Sequence, residues 1–204
     1  MDIRLTASKD WIVQRFKRLE IELAADWQLL PLCGDASYRR YFRIINNRQS
    51  WILMDAPPDK EDSSSFVAIA LYWLSQGIQV PTIHHYDLEL GFLLLSDFGD
   101  DVLLSSLRPE IPDLASGDHY YRLAIEALAD IQHIKPDPNY LLPLYDAALL
   151  QREVALFPDW LLEKKLGLTL SAQERDLLTQ TFSYLVDSAL AQPQAPVHRD
   201  YHAR

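Results

Sequence analysis

The last eight residues, Val197-His198-Arg199-Asp200-Tyr201-His202-Ala203-Arg204, hold the densest set of side chains able to do chemistry. His198-Arg199-Asp200 matches the start of the H-R-D-x-x-x-x-N loop used for phosphoryl transfer. In that pattern the Asp accepts the proton of the attacking hydroxyl, and the Asn five places on holds a magnesium ion. Phosphoryl transfer asks mainly for positioning and charge neutralisation. One carboxylate aimed at a hydroxyl, with Mg²⁺ on the phosphates, can therefore suffice. The fifth place after Asp200 is position 205, and the sequence ends at Arg204, so no metal ligand of this pattern is expected within the chain. Taken alone, the tripeptide also fits a loop acid beside a packed histidine. His198 and His202, at i and i+4, have a spacing that ligates metal on a helix, but no third ligand is evident.

A second segment is Gly34-Asp35-Ala36-Ser37-Tyr38-Arg39-Arg40-Tyr41-Phe42-Arg43. Backbone N–H groups among small side chains let a loop approach anionic oxygens closely. Arg39 or Arg40 would add positive charge there. The plainer reading is a hairpin turn with arginines on a solvated strand face.

The elements that must position these residues follow from periodicity. Trp11, Ile12, Phe16, Leu19 and Leu23 recur at helical spacing and predict a helix over 7–25. Residues 27–33 are a short apolar run before the turn at Gly34–Ser37. Tyr38–Ile45 and Trp51–Asp55, separated by Asn46-Asn47, predict a β-hairpin. Phe66, Ile69, Ala70, Trp73 and Leu74 form a helical stripe that Gly77 stops. Ile83–Leu88 and Phe92–Leu95 read as two strands. Beyond about Gly99 the pattern is helical: a stripe from Tyr120 to Ile131, then Tyr145–Leu156 and Trp160–Lys165. Ser171 and Glu174 form a capping-box pattern that opens a helix to about Ala191. This organisation predicts a β-rich lobe over 1–96, a connector near Ser96–Asp101, and a helical part over 97–204. Crevices between such parts are common small-molecule sites.

Composition narrows the class. The chain has 204 residues, 19 Lys+Arg against 29 Asp+Glu, a net charge of −10 and 49% hydrophobic residues. That is ordinary for a globular protein and excludes disordered, collagen-like and disulfide-scaffold chains. The acidic balance, with no basic tract, argues against a nucleic-acid partner. Cys33 is the single cysteine, so neither an intrachain disulfide nor a C-x-x-C site is available. The N-terminus lacks an apolar leader, and the longest aliphatic run, Phe92–Leu95, is far below the roughly 18 residues of a membrane span. The expectation is a cytoplasmic protein without a membrane partner. The five tryptophans are expected mostly in the core. His84 and His85 should point to opposite strand faces, and Asp100-Asp101 is expected as a solvated helix-start pair.

GDASYRRYFR, the strand ending in MDAPP (Met54–Pro58), GFLLLSDFG (Gly91–Gly99), REVALFPDWLLEKKLGL (Arg152–Leu168) and VHRDYHAR (Val197–Arg204) occur in this order. The set resembles the aminoglycoside phosphotransferase-like kinases. It is especially similar to the bacterial anomeric kinases that phosphorylate N-acetylmuramate and N-acetylglucosamine at C1. The resemblance covers residues 5–204. It implies an α+β, protein-kinase-like two-lobe fold: an antiparallel-sheet N-lobe with a helix, and an incomplete helical C-lobe that ends in the catalytic loop. It implies ATP and Mg²⁺ as cosubstrates, an amino sugar as acceptor, a role in cell-wall recycling, and a protein that runs on by more than about 100 residues. Residue by residue, Asp200 matches the catalytic base, Gly34, Asp35, Ala36 and Ser37 the phosphate-facing loop, and Leu95, Ser96, Asp97 and Phe98 the connector where adenine bonds main chain. Arg40 is a candidate phosphate ligand. No substrate-binding residue is assigned.

Two departures stand out. The loop has one glycine, where a G-x-G-x-x-G loop has three. The strand Trp51–Asp55 has Met54 about where many kinases place the lysine that pairs with the α- and β-phosphates. Either an arginine such as Arg43 or Arg40 substitutes, or neutralisation leans on Mg²⁺. The same fold also serves aminoglycoside, choline and homoserine hydroxyls, and a non-catalytic binding module is the alternative of a different class.

Overall fold

The computed structural model describes residues 2–32, 37–107 and 114–203. The chain forms two compact units, Met1–Tyr140 with His198–Arg204, and Leu141–Val197.

The first unit is built on a five-stranded antiparallel sheet of order β1-β2-β3-β5-β4. Its strands are β1 (Gln28–Pro31), β2 (Arg40–Asn46), β3 (Gln49–Asp55), β4 (Ile83–Asp87) and β5 (Phe92–Ser96). The β2–β3 hairpin turns at Asn47, whose φ of 57° lies in the left-handed region that Asn tolerates. Buried Asn46 anchors it: its side chain accepts from the Ala24 N–H and donates to the Glu22 carbonyl.

Strand alternation divides the sheet into two apolar faces. Phe42, Ile44, Trp51, Leu53, Phe92 and Leu94 pack against Trp11, Ile12 and Phe16 of helix α1 (Ile3–Arg18). Met54, Leu93 and Leu95 pack with Ala56 and with Val67 of helix α2 (Ser64–Ser75). Each large side chain buried in this way contributes about 1.5–3 kcal/mol, so a strand residue cannot change faces without losing that contribution. Helix α1 begins earlier than its periodicity predicts, because Asp2 caps it through the Leu5 N–H. It stops at Arg18, and Glu20 follows with φ 58°. Ile21 and Leu23 still reach the α1-side core, which is why they extended the apparent stripe.

Gly91 closes the β4–β5 turn. Its φ is 73°, and a Cβ there would land on the Ala56 carbonyl oxygen. The Ala56 N–H donates to the Gly91 carbonyl at 2.8 Å. Only glycine fits that approach. His84 and His85 do face opposite sides, and the His85 ring meets Trp11 edge-on at 5.8 Å. After β5 come α3 (Leu103–Ser106) and α4 (Leu114–Gln132).

In the second unit, α5 (Ala147–Leu156) is capped by Asp146 and runs directly into a π-helical stretch, Phe157–Lys165. Two separate helices were expected there. Pro158 has no N–H to return to the preceding turn, which fits the change of winding. Helix α6 (Ala172–Leu190) opens with the expected capping box between Ser171 and Glu174. That bonding holds the Glu174 carboxyl below its usual range. Trp160 departs from the core expectation: it is 58% exposed, with the Lys164 ammonium 3.7 Å from its ring centroid. Among the described residues no helix is long and apolar enough to cross a membrane.

Candidate phosphotransfer site

The segment carrying Asp200 is tied to the helices that precede it. The Leu104 N–H, in α3, donates to the Ala203 carbonyl at 2.8 Å. The Tyr201 hydroxyl donates to the Ala124 carbonyl of α4 at 2.6 Å, and its ring meets His198 edge-on at 5.4 Å. Between these ties Arg199 takes φ 71°, a conformation costing about 1–3 kcal/mol for a side chain of this size. The result is a turn that presents the Asp200 carboxyl to solvent at 83% exposure. His202 Nε2 stands 3.4 Å from its Oδ1, and the Asp200 N–H faces His198 Nδ1 at 3.4 Å. Residues 198–203 are not helical, so the i, i+4 histidine spacing does not make a helical metal face.

Gly34, Asp35 and Ala36, with Cys33, lie outside the described residues. Ser37 is exposed and its hydroxyl accepts from the Arg39 N–H at 3.1 Å. Arg40 lies on the α1 face of the sheet, with Phe42 and Ile44. Its Nε donates to Asp55 Oδ2 at 3.0 Å, and its Nη1 pairs with Asp2. Arg4 takes the other oxygen of the same carboxylate at 2.9 Å. Arg40 holds the Asp2 carboxyl below its usual range, while Asp2 and then Asp55 raise Arg40. Asp55 is fully buried between the two guanidiniums. The sequence reading gave neither Arg4 nor Asp55 a role. The available signal was an acid closing an apolar strand.

Arg43 lies on the opposite face, the one that carries Leu95. It clamps the connector: Nε donates to Asp97 Oδ2 at 2.7 Å, Nη2 to Asp97 Oδ1 at 3.2 Å, and Nη1 to Asp100 at 2.7 and 2.8 Å. Burial pushes the Asp97 carboxyl up. The Gly99 N–H, Arg43 and the Ser50 hydroxyl outweigh it and hold Asp97 below its usual range. Asp97 and then Asp100 raise Arg43. With Ile45, Ser50 and Gly99 these groups line an open depression of about 320 Å³. Leu95 is in the α2-facing core. The Ser96 N–H donates to the Thr82 carbonyl and its hydroxyl accepts from the Thr82 N–H, both at 2.9 Å. Phe98 is 70% exposed. Asp100 is solvated ahead of α3, as expected, and is in addition an ion-pair partner of Arg43.

At the other end of the same face, Met54 is fully buried opposite Tyr41. Arg39 stands beside this cluster, its guanidinium carbon 5.8 Å from the Phe66 ring centroid and its Nε 3.4 Å from Glu61 Oε2. Glu61 Oε1 accepts from the Tyr38 N–H at 3.3 Å. Among the described residues no three His, Cys, Asp or Glu side chains gather as a metal cage. Asp97 and Asp100 face Arg43, and His202 Nε2 stands 3.4 Å from Asp200 Oδ1. The described residues therefore gather no set of carboxylates for a resident Mg²⁺, which takes several oxygen ligands at once.

The profile described as the phosphotransferase enzyme family matches residues 28–204. A protein of Pseudomonas putida named N-acetylmuramate/N-acetylglucosamine kinase is 39% identical over 209 residues, which cover 100% of this chain and 59% of the relative. The protein of that name from Pseudomonas aeruginosa is 41% identical over 191 residues, 91% of this chain and 54% of the relative. The one from Neisseria meningitidis is 35% identical over 181 residues, 88% and 52%. The chain thus spans between half and three-fifths of the length of these relatives. Among solved structures, ADP-bound aminoglycoside phosphotransferase APH(2'')-Ib superposes with a TM-score of 0.53 at 16% identity, covering 93% of this chain and 64% of that one. The streptomycin–ATP ternary complex of APH(2")-IIa gives 0.51 at 14%, covering 93% and 60%. These likenesses establish the fold as α+β and protein-kinase-like, as the ordered motifs imply.

Proposed function

Because the chain belongs to the phosphotransferase enzyme family, we propose that it is the nucleotide-binding and catalytic-loop part of an ATP-dependent kinase acting on the anomeric hydroxyl of an amino sugar. N-acetylmuramate and N-acetylglucosamine are the acceptors that the relatives' names suggest. The observation that carries the reading is the Asp200 carboxyl, solvent-facing in a turn tied to α3 and α4 on either side of a left-handed Arg199.

Residues 1–96 form the nucleotide lobe and 97–204 the first part of the helical lobe. ATP enters as its Mg²⁺ complex. Its adenine pairs with main chain along Leu95–Phe98, and the segment Gly34–Ser37 covers the phosphates. Asp200 accepts the proton of the sugar hydroxyl as the new O–P bond forms, and the bond to the β-phosphate oxygen breaks to release ADP. Such a base contributes about 10²–10⁴-fold. The exposed connector at Phe98 and the Arg43 clamp on Asp97 support a nucleotide platform on the α2 side of the sheet. The enzyme works in the cytoplasm, in the recycling of cell-wall sugars.

The test follows ADP release by the full-length protein with N-acetylmuramate, N-acetylglucosamine and kanamycin. Turnover with the amino sugars is expected, falling about 10²–10⁴-fold in Asp200→Asn at unchanged ATP affinity. Undiminished turnover in the variant removes Asp200 from its role. Turnover with kanamycin alone overturns the acceptor.

A further inference from the structure

We propose that Arg39, held by Glu61, is the residue that binds the α- and β-phosphates, replacing the lysine absent from position 54. This rests on reading the chain as an ATP-dependent phosphotransferase.

The strand position that carries lysine in many kinases holds Met54, which is fully buried in the α2-side cluster. A charge for the phosphates must therefore come from a neighbour on that face. Arg4 and Arg40 are committed to buried Asp55 on the α1 face. Arg43 faces the α2 side but sits at the connector end of β2, fully engaged by Asp97 and Asp100. Lys60 is exposed beside Asp59.

Arg39 differs from all of these. It directly precedes β2 on the α2 side and next to Ser37 and Tyr38, where its guanidinium carbon lies 5.8 Å from the Phe66 ring centroid. Its Nε is buried and makes no hydrogen bond, and its Nη groups make none among the described residues. Its acidic neighbour, Glu61 Oε2 at 3.4 Å, pairs with it in charge without satisfying that N–H. Glu61 is itself held by the Tyr38 N–H and, through its own N–H, by the Pro57 carbonyl at 2.9 Å. The pair therefore gives an oriented guanidinium with donors to spare, and its planar fork suits two phosphate oxygens at once. A cation tethered by a carboxylate just before the α2 helix is the same physical device as a lysine–glutamate pair, moved from β3 to the entrance of β2.

The experiment measures binding of ATP, ADP and adenosine to the full-length protein by calorimetry, with melting temperatures alongside. Arg39→Gln is expected to weaken ATP and ADP by about 10- to 100-fold, the range for losing hydrogen bonds to a charged group, and to leave adenosine unchanged. Arg39→Lys, which keeps the charge and loses the fork, should recover part of the loss, and Glu61→Gln should weaken ATP while sparing adenosine. If Arg39→Gln does not fold, Arg39→Lys decides. In folded Arg39→Lys a lowered ratio of ATP to adenosine affinity supports the assignment, and an unchanged ratio, whether both affinities fall equally or neither falls, overturns it. ATP binding within twofold of wild type in folded Arg39→Gln overturns the role of Arg39 and leaves the kinase reading standing. Failure of the wild type to bind either nucleotide overturns both.

Discussion

Replacing Arg43 by glutamine leaves the Asp97 carboxylate, whose side chain is 4% exposed, with the Gly99 N–H and the Ser50 hydroxyl as its remaining donors. Removing one partner of a buried ion pair costs about 3–5 kcal/mol. The donors that remain lower this. The contact to Asp100, 80% exposed, adds well under about 1 kcal/mol. We expect a loss of about 2–3 kcal/mol at pH 7. With a slope of about 1–3 kcal/mol per M, the urea midpoint drops by about 0.7–3 M. The pH dependence has a fixed sign. Asp97 is held below its usual range, so its folded-state advantage is complete above the ordinary aspartate pKa of about 3.9 and fades as pH falls through the lowered folded value. The gap between wild type and Arg43→Gln should therefore narrow below about pH 4. Urea titrations at pH 7, 5 and 3 measure it, and a cycle with Asp97→Asn should give a coupling above about 1 kcal/mol. A loss under about 0.5 kcal/mol, or a gap that stays constant down to pH 3, refutes the clamp.

Two further outcomes follow from the fold. Gly91→Ala should lose about 2–4 kcal/mol, combining the left-handed penalty with a Cβ driven into the Ala56 carbonyl, and a melting temperature within about 2 °C of wild type would contradict this. Arg40→Gln should destabilise by about 2–4 kcal/mol through Asp55 while leaving ATP affinity within twofold; a selective loss of ATP binding in a fully stable variant would return Arg40 to the phosphates.

The hairpin was readable because Asn46-Asn47 punctuates two alternating strands, and the capping box because Ser171 and Glu174 carry their own local mechanism. Arg40 and Arg43 were both offered as phosphate ligands, although strand parity separates them. Phe42 and Ile44 go with α1, so Arg40 must as well, and Arg43 must face away. That signal was present in the sequence. The partners of these arginines were not, since Asp97 lies 54 residues from Arg43 and a pairing that distant depends on strand order. Arg39 was recognised as a charge near the loop, but its charge pairing with Glu61 depends on where the segment before α2 returns. The end of α1 was overrun because Leu23 continues the apolar stripe after the helix has stopped.

Every ladder of the five-stranded sheet is closed by residues between Gln28 and Ser96, with α1 supplied from upstream. A growing polypeptide can therefore complete this half on the ribosome before the later helices emerge. The segment bearing Asp200 is made after that half, and it docks on Leu104 and Ala124, which are already synthesised by then. On the proposed reading, the timing of synthesis thus separates the birth of a nucleotide platform from the arrival of the group that makes it reactive. A nascent chain stalled before residue 198 would hold the platform without the chemistry.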